Sequence, residues 1–419
     1  MTQRSSGEEP AARGLLAVLA RMFSSFRVKT FRRYALGAQL AYTGSWMIQL
    51  TQSLLILELS DGSGVLLGAM LAIQSLPLLV VGPWTGVLAD RIGARRVLML
   101  GELMMMSVAA AQALFIVFDA VTVTSVLVLA GLFGLGAVME QTMRAAVVVE
   151  LVPQWGIANA VSLNALFLQL GRFLGPALAG VLVSATGFAL PFVVGAALFA
   201  GFALVLATLA GRPRLAKSGP QLSRGLGPAL SFIRRDAVLP EVLVLAAVGG
   251  LVGPNFVTFA TLILTKQFEA GPQQVGLAAM FLAIGTIAGA LVAAWKNTTS
   301  VVLVRCGAGG IGLVAMLALV SPSASVYMIT LIAAGFSAMM LVTQSSSAVQ
   351  ARTSGELRGR VSAIFSICLL IGVPVGAPLF GVLADWFGDP RSACALLGAA
   401  VVVCVLAAWA VFGTRRRAQ

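Results

Sequence analysis

Five ionisable side chains fall inside long apolar stretches of the chain, where a charge is costly and therefore informative. They are Glu58, Glu102, Glu140, Arg144 and Arg172. Glu140 and Arg144 are four residues apart, so on a helix they share a face and can form an ion pair, with a structural or a gating role. Arg172 lies deep in its stretch and needs an acidic partner. Glu58 is the only plausible acid on that side of the membrane.

A carboxyl group in such a place can also carry a proton, because dehydration favours its protonated form and hydration favours its release. The candidate proton carriers, in order, are Glu140, Glu102 and Glu58. Glu102 and Glu58 also fit ordinary positions near helix ends. No acid is expected inside the apolar segments of the second half of the chain, and the sequence contains no histidine.

Polar side chains recur along the first apolar segment at steps of 3, 4, 3 and 4 residues, which places them on one helix face. They are Gln39, Tyr42, Trp46, Gln49 and Ser53. Such a stripe is typical of a cavity wall or of hydrogen bonds between helices.

The composition requires membrane helices to position these residues. The chain has 419 residues, of which 59% are hydrophobic and only 10% are charged, whereas a soluble domain carries roughly a quarter charged residues. About 20 apolar residues are needed to cross a bilayer. Windows of that kind predict twelve transmembrane helices, at 35–59, 65–88, 97–118, 122–145, 158–184, 188–210, 241–264, 273–295, 301–320, 326–346, 361–384 and 392–413.

The basic residues predict the orientation of the chain. They cluster at the N-terminus, after predicted helix 2, between helices 6 and 7, before helix 11 and in the tail, which predicts that both termini are cytoplasmic. This bias also explains the net charge of +13. Because the charges are spread over several short loops, nucleic-acid binding is not expected. The four cysteines fall inside predicted helices and are interpreted as core residues.

The chain divides into two similar halves. Its longest polar interruption, 211–240, separates six predicted helices from six more. At an offset of 201 residues, Gly171 and Gly175 of helix 5 match Gly372 and Gly376 of helix 11. Such glycine pairs let helix backbones approach closely, and many transporters place a substrate site between repeated halves.

Two local motifs stand out. The loop after helix 2 combines glycines suited to a tight turn with an aspartate and arginines that can meet helix ends, lipid headgroups or carboxylates; it contains Gly86, Asp90, Arg91, Gly93, Arg95 and Arg96. In helix 5 a proline bends the helix and glycines give the bend room; the residues are Gly171, Arg172, Gly175, Pro176 and Gly180.

Both motifs resemble those of the major facilitator superfamily. The loop is similar to the family's loop signature and the helix 5 segment to its antiporter motif. Glu150 to Pro153, the run 158–164 and the start of helix 1 are similar to the branch of macrolide and enterobactin exporters. The loop after helix 8 keeps almost nothing of the signature.

The resemblance implies roles for these residues. The loop would latch the two halves together on the cytoplasmic side, opposite the start of helix 11 near Arg360. The helix 5 motif would seal the helices and mark export. Helices 1, 4, 7 and 10 would line a central cavity, whose expected wall is Gln39, Tyr42, Trp46, Gln49, Asn255, Thr258 and Gln344.

We therefore predict an all-α membrane protein with twelve transmembrane helices in two six-helix bundles. The expected parts are a cytoplasmic segment with an interfacial helix (1–33), two bundles (34–211 and 240–413), a basic linker (212–239) and a basic tail (414–419). No metal, cofactor or catalytic constellation is expected.

The predicted function is proton-coupled export of amphipathic or apolar small molecules from the bacterial cytoplasm by a monomer. The partners would be a small-molecule substrate, protons and the lipid bilayer. A metabolite or ion uptake symporter is the alternative, and a transporter-derived receptor or scaffold is a further one.

Overall fold

The computed structural model describes residues 24–209, 227–296, 300–353, 355 and 357–417. Residues 1–23 of the predicted N-terminal segment, with its interfacial helix, and 210–226 of the linker region lie outside these residues. Within the described part, Ser24–Arg27 form a 3-10 turn and the first long helix already begins at Lys29, so the expected boundary at residue 33 is wrong. The long helices, numbered to match the predicted ones, are α1 Lys29–Leu59, α2a Gly64–Val80, α2b Gly82–Ile92, α3 Ala94–Val117, α4 Val123–Leu151, α5 Ile157–Thr186, α6 Ala189–Thr208, α7a Leu239–Val252, α7b Phe256–Gln267, α8 Pro272–Lys296, α9 Val301–Val320, α10 Ala324–Arg352, α11a Leu357–Leu370, α11b Gly372–Phe387 and α12 Pro390–Arg417. A linker helix, Gly227–Arg235, precedes α7a.

The predicted all-helical membrane fold is confirmed. Among the described residues, ten helices are long and apolar enough to cross a membrane, and α2a with α2b makes an eleventh if the bent pair is one span. The twelfth predicted span is α1, whose 31 residues exceed the required length. Its glutamines and basic N-terminal turn lower its mean hydropathy.

Three predicted spans are broken in the structure. Helix α2 bends by 53° between its two segments, where α2b begins at Gly82-Pro83 and proline cannot donate to the preceding turn. Helix α7 is interrupted by a short 3-10 turn, Gly253–Asn255, which contains Pro254. Helix α11 breaks at Ile371.

Most helix packing lies within each half. Helix α1 packs against α5 and α6, and α3 packs against α4 and α6, while in the second half α10 packs against α8 and α9, and α12 against α9. The two halves meet chiefly where α2a contacts α11b and where α5 contacts α8. We call the end of the bundle that carries Asp90 the Asp90 end, and the opposite end the Asp385 end.

At the Asp385 end the halves touch through their backbones. A methyl group added at Gly180 would lie 2.6 Å from the carbonyl oxygen of Pro272, and one at Gly276 would lie 2.5 Å from that of Pro176. Gly68 faces Ala377 in the same way: an added methyl group at Gly68 would lie 2.6 Å from the carbonyl oxygen of Ala377. Toward the Asp90 end each half packs on itself instead: α2b lies on α3 and α4, and α11a lies on α7a, α10 and the linker helix.

Candidate functional site

A cavity of about 450 Å³ lies between the halves, on the Asp90 side of the glycine contacts. Trp46 of α1 and Arg172 of α5 line it from the first half, and the broken helix α7 lines it from the second through Gly253, Pro254 and Val257. Most of the remaining wall is aliphatic. Of the described residues in this lining, Arg172 is the one that carries a charge.

Close packing of α1 on α5 positions Arg172. Gly171 faces Tyr42, and an added methyl group there would lie 2.6 Å from its Cβ atom; Gly175 faces Trp46, where the corresponding distance is 2.7 Å. Because Gly171 is directed at α1, the next residue is turned about 100° around the helix, toward the cavity. The predicted glycine pair of helix 5 therefore sets the place of the charge.

Arg172 rests on an aromatic ring. Its Cζ atom lies 4.7 Å from the centroid of the Trp46 ring, a distance suited to a cation–π contact. The expected pairing with Glu58 is wrong: within the described residues Arg172 forms no ion pair, and Glu58 is exposed at the far end of α1. Glu58 lies at the Asp385 end, whereas α5 turns the Arg172 side chain into the cavity.

The polar stripe of α1 divides into three roles. Trp46 lines the cavity, Tyr42 and Gln49 bond to neighbouring helices, and Gln39 and Ser53 bond within α1. Tyr42 donates to Asn164 at 3.3 Å, and Gln39 donates to Thr43 at 3.1 Å. Interhelical bonding, the alternative interpretation of the stripe, describes Tyr42 and Gln49 better than a cavity wall does, whereas the bond of Gln39 stays within α1.

Gln49 belongs to a chain of four amides that joins α1, α2a and α3. Gln49 donates to Gln74 at 3.1 Å, Gln74 to Gln52 at 2.9 Å, and Gln52 to Gln112 at 2.8 Å. Amides linked in this way hold the helices in register, although the Nε2 atom of Gln112 at the end of the chain has no partner among the described residues.

The expected cavity residues of the second half are also placed elsewhere. Asn255, Thr258 and Gln344 are buried, with exposed fractions of 2%, 8% and 3%, and they do not line this cavity. Asn255 donates to the carbonyl oxygens of Leu251 and Gly372, at 2.9 and 3.2 Å. It joins the interruption of α7 to the break of α11, because broken helices leave carbonyl groups that need donors.

A buried charge cluster lies in the first half, toward the Asp90 end. Arg144 pairs with Glu140 on the same helix face, as the spacing predicts, and its Nη2 atom also lies 3.4 Å from Glu102 Oε1. Its Cζ atom lies 3.7 Å from the centroid of the Tyr42 ring. Among the described residues, Glu102 Oε2 has no hydrogen-bond partner. Two buried carboxylates thus share one guanidinium, and a single proton would make the cluster neutral.

The second half does contain buried acid, contrary to expectation. Glu241 in the first turn of α7a is fully buried and pairs with Arg305 of α9. Asp385, near the end of α11b, contacts the first half directly. Its carboxylate accepts from the backbone N–H groups of Gly64 and Val65 at 3.0 and 2.9 Å, and from Lys266 at 3.1 Å.

The signal for Asp385 lies in a repeated string. Gly381-Val-Leu-Ala-Asp385 repeats Gly86-Val-Leu-Ala-Asp90 letter for letter, and a glycine follows three residues after each aspartate. The two copies lie at opposite ends of the bundle. This match lies at an offset of 295 residues, outside the 201-residue offset that relates helix 5 to helix 11.

The predicted latch loop ends α2b. Gly93 has φ 91°, a conformation that favours glycine, and it ends the helix as the loop motif predicts. Asp90, Arg91 and Arg96 are exposed, and Arg95 donates to the carbonyl oxygen of Leu209 in its own half. A methyl group at Gly86 would meet no atom within 4 Å. Val361, near the expected partner site on α11a, is buried in a cluster with linker-helix residues.

Comparison with known proteins agrees with this architecture. The family model described as transmembrane secretion effector matches residues 20–417. The multidrug efflux pump Tap of Mycolicibacterium fortuitum is 27% identical over 75% of this chain and 79% of its own length. The staphyloferrin A transporter of Staphylococcus aureus is 23% identical over 84% of this chain and 89% of its own length.

Solved structures share the fold. The nucleoside transporter NupG superposes with a TM-score of 0.72 at 15% identity, over 91% of this chain and 99% of its own. A bacterial homologue of the human lysosomal transporter Spinster, in an inward-facing and unoccupied conformation, gives 0.69 at 16% identity over 92% and 96%.

Proposed function

Because the chain belongs to the transmembrane secretion effector family of the major facilitator superfamily, it is a membrane transporter and not an enzyme, and we propose that it exports amphipathic or apolar small molecules by alternating access. The observation that carries this proposal is the cavity of about 450 Å³ between the halves, closed on one side by the α2a–α11b and α5–α8 contacts. A volume of that size suits a drug-sized molecule.

The proposed orientation decides which side of the membrane this state would serve. We place the protein in the bacterial cytoplasmic membrane with both termini in the cytoplasm, because the basic loops lie at the Asp90 end. The cavity then lies on the cytoplasmic side of the seal, so this state loads from the inside. The relatives named for multidrug efflux and for staphyloferrin A transport are consistent with a small-molecule cargo.

Proton coupling would use the buried charge cluster. With both acids ionised, Glu102, Glu140 and Arg144 carry one net negative charge at exposures of 0%, 6% and 3%, which is costly within a membrane. One proton removes that cost. Glu140 and Glu102 are therefore the proposed carriers, and the exposed Glu58 is the weaker candidate. We propose that a monomer suffices, since the cavity lies within one chain.

Export is tested in an efflux-deficient strain that expresses the protein, first by growth against a panel of toxic compounds. A compound whose toxicity falls is then followed in inverted membrane vesicles with an imposed pH gradient. The matched control is Gly276→Leu, whose side chain cannot fit against Pro176 and should block closure. Uptake into inverted vesicles that depends on the gradient and fails in the control supports export. Accumulation in right-side-out vesicles instead would support the uptake symporter.

A further inference from the structure

The cavity holds a guanidinium without a counter-charge. Arg172 forms no hydrogen bond or ion pair with any described residue, and it lines the cavity. An unpaired charge at membrane depth is costly, so such residues usually pair or bind a ligand. Trp46, which also lines the cavity, supports the guanidinium through its ring and leaves its N–H groups without a protein acceptor among the described residues.

The neighbouring polar groups do not satisfy Arg172. The hydroxyl groups of Ser75 and Thr286, which share the lining, donate to carbonyl oxygens of their own helices at 2.7 and 2.9 Å. The wall opposite is formed by Pro254, Val257 and other apolar side chains. The cavity therefore combines one planar cationic group with a largely apolar remainder.

We propose that Arg172, held on the Trp46 ring, binds an acidic group, a carboxylate above all, on a transported molecule whose apolar body fills the rest of the cavity. The guanidinium fork matches the two oxygens of a carboxylate. Cations are disfavoured there, because no described acid in the lining offsets Arg172. This inference rests on the proposed transport function and makes its substrate class narrower.

The test uses three probes that share one apolar body: 1-pyrenebutyrate, 1-pyrenebutanol and 1-pyrenebutylamine. Purified full-length protein in phosphatidylcholine nanodiscs is titrated with each. Wild type should bind the acid about tenfold or more tightly than the alcohol, as a charge-assisted hydrogen bond provides, and the amine most weakly. Arg172→Gln should remove the preference for the acid, and Arg172→Lys should keep part of it.

Two controls distinguish the specific loss of acid binding from misfolding of the variant. Pyrenebutanol should bind Arg172→Gln with the wild-type affinity, and Arg234→Gln, an exposed arginine of the linker helix, should leave all three affinities unchanged. Phosphatidylglycerol in the nanodiscs tests a lipid headgroup as the source of the acid. A tenfold loss of pyrenebutyrate affinity in its presence would assign Arg172 to lipid and overturn the substrate proposal.

The result can be told apart from the outcome for transport. Equal binding of acid and alcohol by wild type, or an unchanged preference in Arg172→Gln, overturns the acid site even if vesicles export neutral compounds. Conversely, vesicles that move no compound in either direction overturn the transport proposal, and the binding titration still stands as evidence for the acid site.

Discussion

The carboxylate of Asp385 accepts a hydrogen bond from the backbone N–H of Val65 at 2.9 Å, across the boundary between the two halves of the protein. The same carboxylate accepts from the Ser63 hydroxyl at 3.2 Å, so an acid of α11b caps the beginning of α2a. The first N–H groups of a helix have no partner within the helix and favour a negative charge. One side chain thereby joins the halves where they close.

Replacing Asp385 by Ala should open the Asp385 end. Charge-assisted hydrogen bonds contribute roughly 1.5–3 kcal/mol each, so the ratio of closed to open molecules should fall about tenfold or more. Spin labels at Val117→Cys and Ser325→Cys, in a background without the four native cysteines, report the distance across this end. Asp385→Asn, which keeps acceptor capacity, should have a smaller effect. An unchanged distance distribution in Asp385→Ala contradicts the role.

Asp90 should act at the opposite end. Asp90→Asn is expected to weaken the state in which the Asp90 end is closed and to lower transport, while the protein still folds. Spin labels at Gln154→Cys and Gln350→Cys report the distance between the two halves at this end. The exposed loop variant Asp119→Asn serves as control. If the label distances in Asp90→Asn match those of the control, Asp90 has no part in the gate.

The charge cluster should couple transport to protons. Glu140→Gln is expected to abolish export driven by a pH gradient and to leave downhill or exchange transport intact, because the fixed amide can no longer take up or release a proton. Glu102→Gln is the companion variant and the exposed Glu269→Gln the control. Gradient-driven export that survives in both buried variants would move the coupling role to Glu58 or exclude protonic coupling.

Trp46 should contribute to the binding of several unrelated substrates. Trp46→Ala removes both the aromatic surface of the cavity and the support of Arg172, and we expect affinity for unrelated substrates to fall together by roughly tenfold. Trp155→Ala, at an exposed position between α4 and α5, is the matched control. A loss confined to a single compound would show that Trp46 makes a specific contact instead of a general one.

Acid should loosen the linker helix. Partial burial alone would raise the pKa of Asp236, but the N–H groups of Leu239 and Val238 and the Arg352 guanidinium hold that pKa below its usual value. The stabilisation is therefore complete above about pH 4, the pKa range of an unfolded aspartate, and is lost as the pH falls through the lowered value.

Hydrogen exchange of residues 228–238 measures that attachment. At neutral pH, Asp236→Ala should speed exchange by removing cap and ion pair together, a loss of about 1 kcal/mol for the cap alone. Asp236→Asn, which can still cap α7a, should have a smaller effect. Identical exchange in the wild type and in Asp236→Ala would show that the cap contributes nothing.

The sequence predicts the membrane helices well, because their signal is local. Apolar windows of span length place α3, α6 and α9 within three residues of where they lie. The Glu140–Arg144 pair could also be predicted from the sequence, since helix geometry alone brings residues four apart together.

The site could not be predicted to the same degree, because its contacts join distant parts of the chain. Tyr42 and Gln49 look like a cavity wall until Asn164 and Gln74 are placed beside them. Asp385 contacts Val65, which is 320 positions away in the sequence; the repeated Gly-Val-Leu-Ala-Asp string marks Asp385 but does not identify its partner.

The seal and the cavity are built from different kinds of chemistry, and this affects how the protein can evolve. The seal consists of main chain against main chain at Gly180 and Gly276, where even a methyl group does not fit, while the cavity wall consists of side chains that can be exchanged one at a time. A lineage can therefore acquire new cargoes by single substitutions around Val257 or Leu282 without disturbing the gate. With the proposed function, such a transporter could change its substrate range while the main-chain contacts that seal it stay the same.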